Sequence, residues 1–188
     1  MPRGTSIVVD VGARGRIGSN SYDLLREFGW RGLLIEANPA LIGLIHAEFA
    51  GLNYELLNFA VSNYDGQATF HIGVNDDVSS LEASAALGWG AIRGRVTVDV
   101  KRLGPLLQDR GIPPDFDLLS LDIEGEDVKV LNDLIGDDYY RPAWIIIEAS
   151  YDYQTESLDD LQLTAAAKSS YRIVGKTPAN LILRRTPE

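Results

Sequence analysis

The segment Leu118–Gly125 reads LLSLDIEG, an apolar run followed by two acids at alternate positions. If the strand continues, Asp122 and Glu124 share one face of it, because side chains alternate across a strand. Carboxylates in that position could act as general base toward a hydroxyl or hold an acceptor by hydrogen bonds. Glu148, at the end of the apolar run Trp144–Glu148, is a third candidate of the same kind. Three carboxylates could also bind a divalent cation through oxygen. Their spacing is not specific for one, and no metal is expected. Glu126 and Asp127 fall where the next helix should begin, and acids there suit the helix dipole.

Two further strand-then-acid patterns precede this one. Ile7–Ser21 (IVVDVGARGRIGSNS) has Asp10 before a glycine-rich turn, and Leu33–Pro39 (LLIEANP) has Glu36 at its end. Gly12, Gly15 and Gly18 are spaced three apart, so the dinucleotide fingerprint G-x-G-x-x-G fails at Arg14. The turn can still bring backbone close to a ligand. Asp10 could accept from an ammonium group or an ordered water and would repel a pyrophosphate. That favours a ligand with an amino-acid end over a dinucleotide. Glu36 is placed to grip both hydroxyls of a ribose. Asn58 (in LNFAVSN) either meets the edge of a base lying on Phe59, Ala60 or Val61, or simply ends a strand. His46 reads as a surface or packing residue. His71 could face an acceptor, but a histidine on a pleat is more often structural.

The elements that must position these residues alternate between strand-like runs and helical stripes, as in a parallel sheet covered on both faces. Expected strands are Ile7–Val11, Leu33–Glu36, Tyr54–Val61, Phe116–Leu121 and Trp144–Glu148, with an added strand at Gln67–Ile72 and a short one at Val96–Val100. A terminal hairpin is expected from Tyr171–Gly175 and Leu181–Arg184. Expected helices are Ser19–Phe28 (Leu24, Leu25 and Phe28 on one face), one capped by Asn38-Pro39 with Leu41, Leu44, Ile45 and Phe49 at helical spacing, Leu103–Arg110, Glu126–Ile135 and Leu158–Lys168. The stretch at about 74–95, with Ser79, Ser80 and Trp89, reads as a lid or insert. A single domain over residues 1–188 is expected.

Net charge is −10 with 27 acids against 17 bases, which disfavours a nonspecific phosphate track. There is no cysteine, which excludes disulfides, zinc–thiolate sites and thiol nucleophiles. No apolar run approaches the length of a membrane span, no leader pattern is visible, and a cytoplasmic protein is expected.

DVGARG…SNSYDLL, GWRGLLIEANP, NFAVSNYDG, SSL, LLSLDIEGEDVKVLN and PAWIIIE occur in an order that resembles the FkbM family of S-adenosylmethionine-dependent methyltransferases. The resemblance runs from about Ile7 to Glu148. It implies a class I methyltransferase fold, a Rossmann-like α/β sandwich with a mostly parallel seven-stranded sheet and an antiparallel last strand. It also implies S-adenosylmethionine as cofactor and O-methylation of a hydroxyl on a sugar or other small metabolite. Asp10, Gly12 and Ala13 match the first cofactor motif, with Arg14 and Gly15 following in the loop. Glu36 matches the ribose acid, with Ala37 beside it, and Asn58 and Ala60 match the segment near adenine. Asp122, Glu124 and Gly125 match the motif beside the methyl group. Catalysis is expected from Asp122 or Glu124, with Glu148 behind them. Asp122 also belongs to the cofactor set.

Arg14 stands where the family usually has asparagine; the loop could still bind the cofactor through backbone groups, or Arg14 and Arg16 could instead meet a carboxylate, of cofactor or acceptor. The expected partner is a hydroxylated small molecule rather than a nucleic acid, and the chain is expected to be a monomer or homodimer. Two alternatives stand beside this reading. One is a non-catalytic binding module of the same fold. The other is a nicotinamide-dependent oxidoreductase, opposed by the glycine spacing and by the absence of any Tyr-x-x-x-Lys pair.

Overall fold

The computed structural model describes residues 5–74, 79–88, 90–136, 139–148 and 157–187. A seven-stranded sheet has the order β3-β2-β1-β7-β8-β10-β9. Its strands are β1 (Ile7–Val11), β2 (Arg31–Ile35), β3 (Tyr54–Leu57), β7 (Leu118–Leu121), β8 (Trp144–Glu148), β9 (Tyr171–Lys176) and β10 (Asn180–Arg185). β1, β2, β3, β7 and β8 pair in parallel, and β10 runs antiparallel to both of its neighbours. This is the Rossmann-like architecture expected from the sequence. A separate three-stranded sheet, β4 (Ala60–Ser62), β6 (Ile92–Arg102) and β5 (Gly66–Gly73), stands beside the sheet's carboxyl edge.

Residue parity divides the core. Val9 and Val11, Leu33 and Ile35, Leu119 and Leu121, and Ile145 and Ile147 belong to one buried cluster with α4 (Leu103–Asp109), α5 (Asp127–Gly136) and α6 (Ala165–Ser170). Val8, Leu34 and Leu118, one position out of phase, pack with Tyr22 and Leu25 of α1 (Tyr22–Phe28) and Ile45 of α2 (Ile42–Glu48). Period-two alternation thus makes both faces of the central strands apolar, as helices on both sides require.

Several sequence expectations are corrected. Tyr54–Val61 is not one strand. It breaks at Asn58-Phe59, where the chain leaves the main sheet for the second one. The short strand at Val96–Val100 is the middle of the 11-residue β6, which pairs with β5 along nearly its whole length. α1 begins three residues late, because the Ser19 and Ser21 hydroxyls are bonded to Asp10 beneath it. Its buried face carries Tyr22 and Leu25, while Phe28 is 71% exposed.

Asn38 does not cap α2. Its side-chain oxygen accepts from Ala40 N–H in a preceding turn, and Leu44 points outward. The helix expected from Leu158 is a series of turns until Thr164 caps α6, accepting from Ala167 N–H at 3.3 Å. Part of the expected lid is the short helix α3 (Ala83–Gly88). Trp89 lies outside the described residues.

Candidate functional site

β1 lies between β2 and β7, so the chain's crossovers diverge between β1 and β7. A crevice at such a switch point is where open α/β sheets bind ligands. A cleft of about 250 Å³ opens there at the strand carboxyl ends, lined by Gly12, Arg14, Glu36, Asp122, Glu124 and Glu126 among others. Phe59, Leu41, Phe70 and Leu81 supply apolar wall.

Gly12 holds the two central strands together at the cleft floor. Its φ is +89°, and a Cβ there would lie 1.9 Å from the Asp122 carbonyl oxygen. Its N–H and that of Ala13 both donate to the Ile35 carbonyl, at 2.9 and 3.1 Å. Only glycine admits this approach of three strand ends. Beyond it, Arg16 N–H donates to Glu48 Oε2 at 2.6 Å, which ties the loop to α2. Gly15 faces Glu48 and Leu44 rather than the cleft.

Glu36 follows β2, is 6% exposed and lines the cleft. Its Oε1 accepts from Asn38 N–H at 2.6 Å. Burial raises its pKa to about 7, while backbone donors at Asn38, Arg14 and Ala37 pull it down. Asn58 braces this position from outside. Its amide donates to the carbonyls of Glu36 (2.7 Å) and Ala37 (3.3 Å). Ala37 and Ala60 line the cleft; Asn58 does not.

Asp10 takes the parity of Val8 and points beneath α1. Its carboxylate accepts from the Ser21 hydroxyl at 2.5 Å and the Ser19 hydroxyl at 3.4 Å. Burial raises its pKa, against the lowering effect of hydrogen bonds from Ser21, Ser120 and Ser19. Asp10 therefore organises the start of α1 and is not among the residues lining the cleft. Ala13 is likewise buried in the core on that side.

Asp122, Glu124 and Glu148 do come together, but not by strand alternation. β7 ends at Leu121, and Glu124 takes a left-handed φ of +52° followed by Gly125 at +101°. Such a conformation costs a non-glycine residue on the order of 1–2 kcal/mol. Asp127 holds the turn, accepting from Ile123 N–H (3.1 Å) and Gly125 N–H (3.2 Å). The turn swings Glu124 back, so that one carboxylate oxygen from each of Asp122, Glu124 and Glu148 lies within 4.8 Å of the other two. A divalent cation could be held by oxygens so arranged.

Burial raises all three acids, and repulsion from nearby acids raises them further: from Asp127 and Asp10 for Asp122 (about 6), from Asp122 and Asp127 for Glu124 (about 7), and from Glu124, Asp122 and Asp127 for Glu148 (about 9). Asp127, buried beneath them, is raised by burial to about 6. A cationic ligand atom would relieve this repulsion.

Glu126 is more than a helix-start residue. It lines the cleft, and its carboxylate accepts from the Ser62 hydroxyl (2.5 Å) and Lys129 (2.7 Å). No sequence signal links Ser62 to it across 64 positions. Phe70 was legible, since Ala68, Phe70 and Ile72 alternate along β5 and pack together. His71 forms a bridge to Ser80 and is not among the cleft residues, and His46 bonds Tyr54 on the surface. Ser80 donates to the Glu124 carbonyl at 2.7 Å and so ties the lid segment to the acidic turn.

The family model for the methyltransferase FkbM domain matches residues 10–168. The chain belongs to the FkbM methyltransferase family. The matched span contains Asp10 through Glu148, every residue singled out above for the site. Membership makes this a methyltransferase and displaces the nicotinamide-dependent reading. No curated protein matches the chain. Among the described residues, no helix is long and apolar enough to cross a membrane.

Proposed function

We propose that this FkbM-family methyltransferase uses S-adenosylmethionine to methylate a hydroxyl oxygen of a small metabolite such as a sugar. The observation that carries the reading is the pairing, in one cleft, of a single buried ribose-type acid with a cluster of acids. Glu36 sits at the end of β2, and Asp122 and Glu124 follow β7. The residues present fit the cofactor. Glu36 offers a fixed acceptor for ribose hydroxyls, and the apolar wall of Phe59, Leu41 and Phe70 suits a flat base. The acidic end suits a cation.

When bound, S-adenosylmethionine supplies a methyl carbon already activated by its positively charged sulfur. The protein's tasks are then positioning and exclusion of water. Asp122 has the lowest of the three raised pKa values of the cluster, so it is the acid most fully ionised near neutral pH. It would accept the proton of the acceptor hydroxyl when the cofactor's methyl group is transferred to that oxygen. Glu124 and Glu148 surround the reacting centre and hold protons that a bound cation would displace. Asn58, Asn38 and Gly12 position the cofactor's partners without touching the methyl group. The acceptor reaches the cleft from the side of Ser79, Leu81 and α3. Residues Tyr151–Glu156 lie outside the described residues.

The reading is tested by incubating the protein with S-adenosylmethionine and a panel of sugars, polyols and phenols, with products read by mass spectrometry. A methyl ether whose formation falls at least about 100-fold in Asp122→Asn supports it. Methyl transfer to nitrogen or carbon alone overturns the oxygen assignment.

A further inference from the structure

We propose that Arg14 is a cofactor clamp, its guanidinium binding the α-carboxylate at the amino-acid end of the cofactor. The inference rests on the S-adenosylmethionine reading and deepens it.

The cleft has two chemically different ends. Near Ala37, Phe59 and Ala60 it is apolar and closed by Glu36; across β1 toward β7 it is lined by Arg14, Gly18, Asp122 and Glu124. A nucleoside whose ribose is held at Glu36 must extend its other substituent over the second end. That substituent is an amino acid, carrying an ammonium and a carboxylate. The ammonium finds an acid there in Glu124, beside the reacting-centre acid Asp122. The carboxylate would be repelled by those same groups unless a cation meets it. Among the described residues that line the cleft, Arg14 is the one cation, against Glu36, Asp122, Glu124 and Glu126.

Its placement is set by the loop. Arg14 lies two residues past the Gly12 contact with β7, and the next turn is tied to α2 through Arg16 N–H and Glu48. The guanidinium lies over Gly18, with Nη1 3.9 Å from the position a Cβ there would take. Arg14 also has an electrostatic attraction to Asp122, and its backbone N–H donates to Glu36. The same residue thus supports the ribose acid through its backbone and faces the amino-acid end through its side chain. A planar guanidinium matches a carboxylate with two parallel N–H donors, which a lysine cannot reproduce.

The test is calorimetric titration with three ligands. They are S-adenosylhomocysteine, its decarboxylated analogue (which keeps the amine) and methylthioadenosine (which lacks the whole amino-acid end). Arg14→Gln is expected to weaken S-adenosylhomocysteine about 10- to 100-fold, the range for a hydrogen bond between charged groups. The other two ligands should change by less than about twofold, and Arg14→Lys should recover part of the loss. Retained binding of the decarboxylated analogue also shows that the variant is folded.

An equal loss for all three ligands would make Arg14 a structural residue of the loop and overturn the inference. No loss for any of them would overturn it too, leaving the side chain to the acceptor. Wild-type protein that binds none of the three overturns the cofactor reading itself, and the clamp with it.

Discussion

Glu36 and Glu148 are both glutamates at the carboxyl ends of parallel strands, β2 and β8, with β1 and β7 between them, and burial raises both, yet their surroundings differ in kind. Glu36 sits among backbone N–H donors from Asn38, Arg14 and Ala37, which hold it down at about 7. Glu148 is surrounded by the charges of Glu124, Asp122 and Asp127, which drive it up to about 9. A carboxylate fixed by N–H donors has one geometry and can present its remaining lone pairs to ribose hydroxyls. A carboxylate crowded by other acids keeps its proton until a positive charge arrives. The Glu36 side of the cleft thus offers a hydrogen-bond acceptor, and the acids that follow β7, with Glu148 clustered beside them, favour a positive charge.

The largest effect should come from the residue that joins the two ends. Gly12→Ala places a methyl 1.9 Å from the Asp122 carbonyl, at a φ that side chains rarely adopt. The expected cost is about 3 kcal/mol, or about 6–12 °C in Tm, with loss of measurable cofactor binding. Thermal melts and titration check both.

Next, the acidic end should be visible in pH. The folded form holds protons on Glu148, Glu124 and Asp122 more tightly than the unfolded chain, whose glutamates titrate near 4.5. The stability linked to these groups is therefore full below the unfolded values and is lost as pH rises through about 6, 7 and 9. Tm of the ligand-free protein should fall between about pH 5 and about pH 9. Glu148→Gln should flatten the upper part of that fall and raise Tm at about pH 9 by about 2–4 °C. A Glu148→Gln profile that parallels wild type would remove the distinction between the two ends. The same logic predicts that S-adenosylmethionine gains affinity over uncharged-sulfur S-adenosylhomocysteine as pH rises.

The smallest effect is expected at the recognition end's outer brace. Asn58→Ala removes two amide donations to the Glu36 and Ala37 carbonyls. Cofactor KM should rise about 3- to 10-fold with kcat nearly unchanged, because the brace acts on binding and not on the reacting atoms.

What could be read from the residues alone follows from the range of the forces involved. Strand ends and their acids are local patterns, so β1, β2, β7 and β8 and the positions of Glu36, Asp122 and Glu148 were legible. Arrangements set by distant partners were not. Nothing near Asn58 reveals that the strand breaks there, because its amide answers to carbonyls more than 20 positions away. Asp10 looks like a ligand acid in the motif, but its parity turns it under α1 to Ser21. Glu126 looks like a helix-start acid, but Ser62 fixes it in the cleft wall. Asp122 and Glu124 were placed together for the wrong reason, since a left-handed turn held by Asp127 unites them rather than a continuing strand.

The central claim is that Glu36 recognises the ribose of an S-adenosyl ligand. Calorimetric titration with S-adenosylhomocysteine, NAD and NADP, on wild type and Glu36→Ala, tests it most directly. The account predicts micromolar binding of S-adenosylhomocysteine alone, weakened about 100-fold or more in Glu36→Ala, with Tm unchanged or raised because a buried charge is gone. Selective binding of NAD, or S-adenosylhomocysteine binding indifferent to Glu36→Ala, would contradict it.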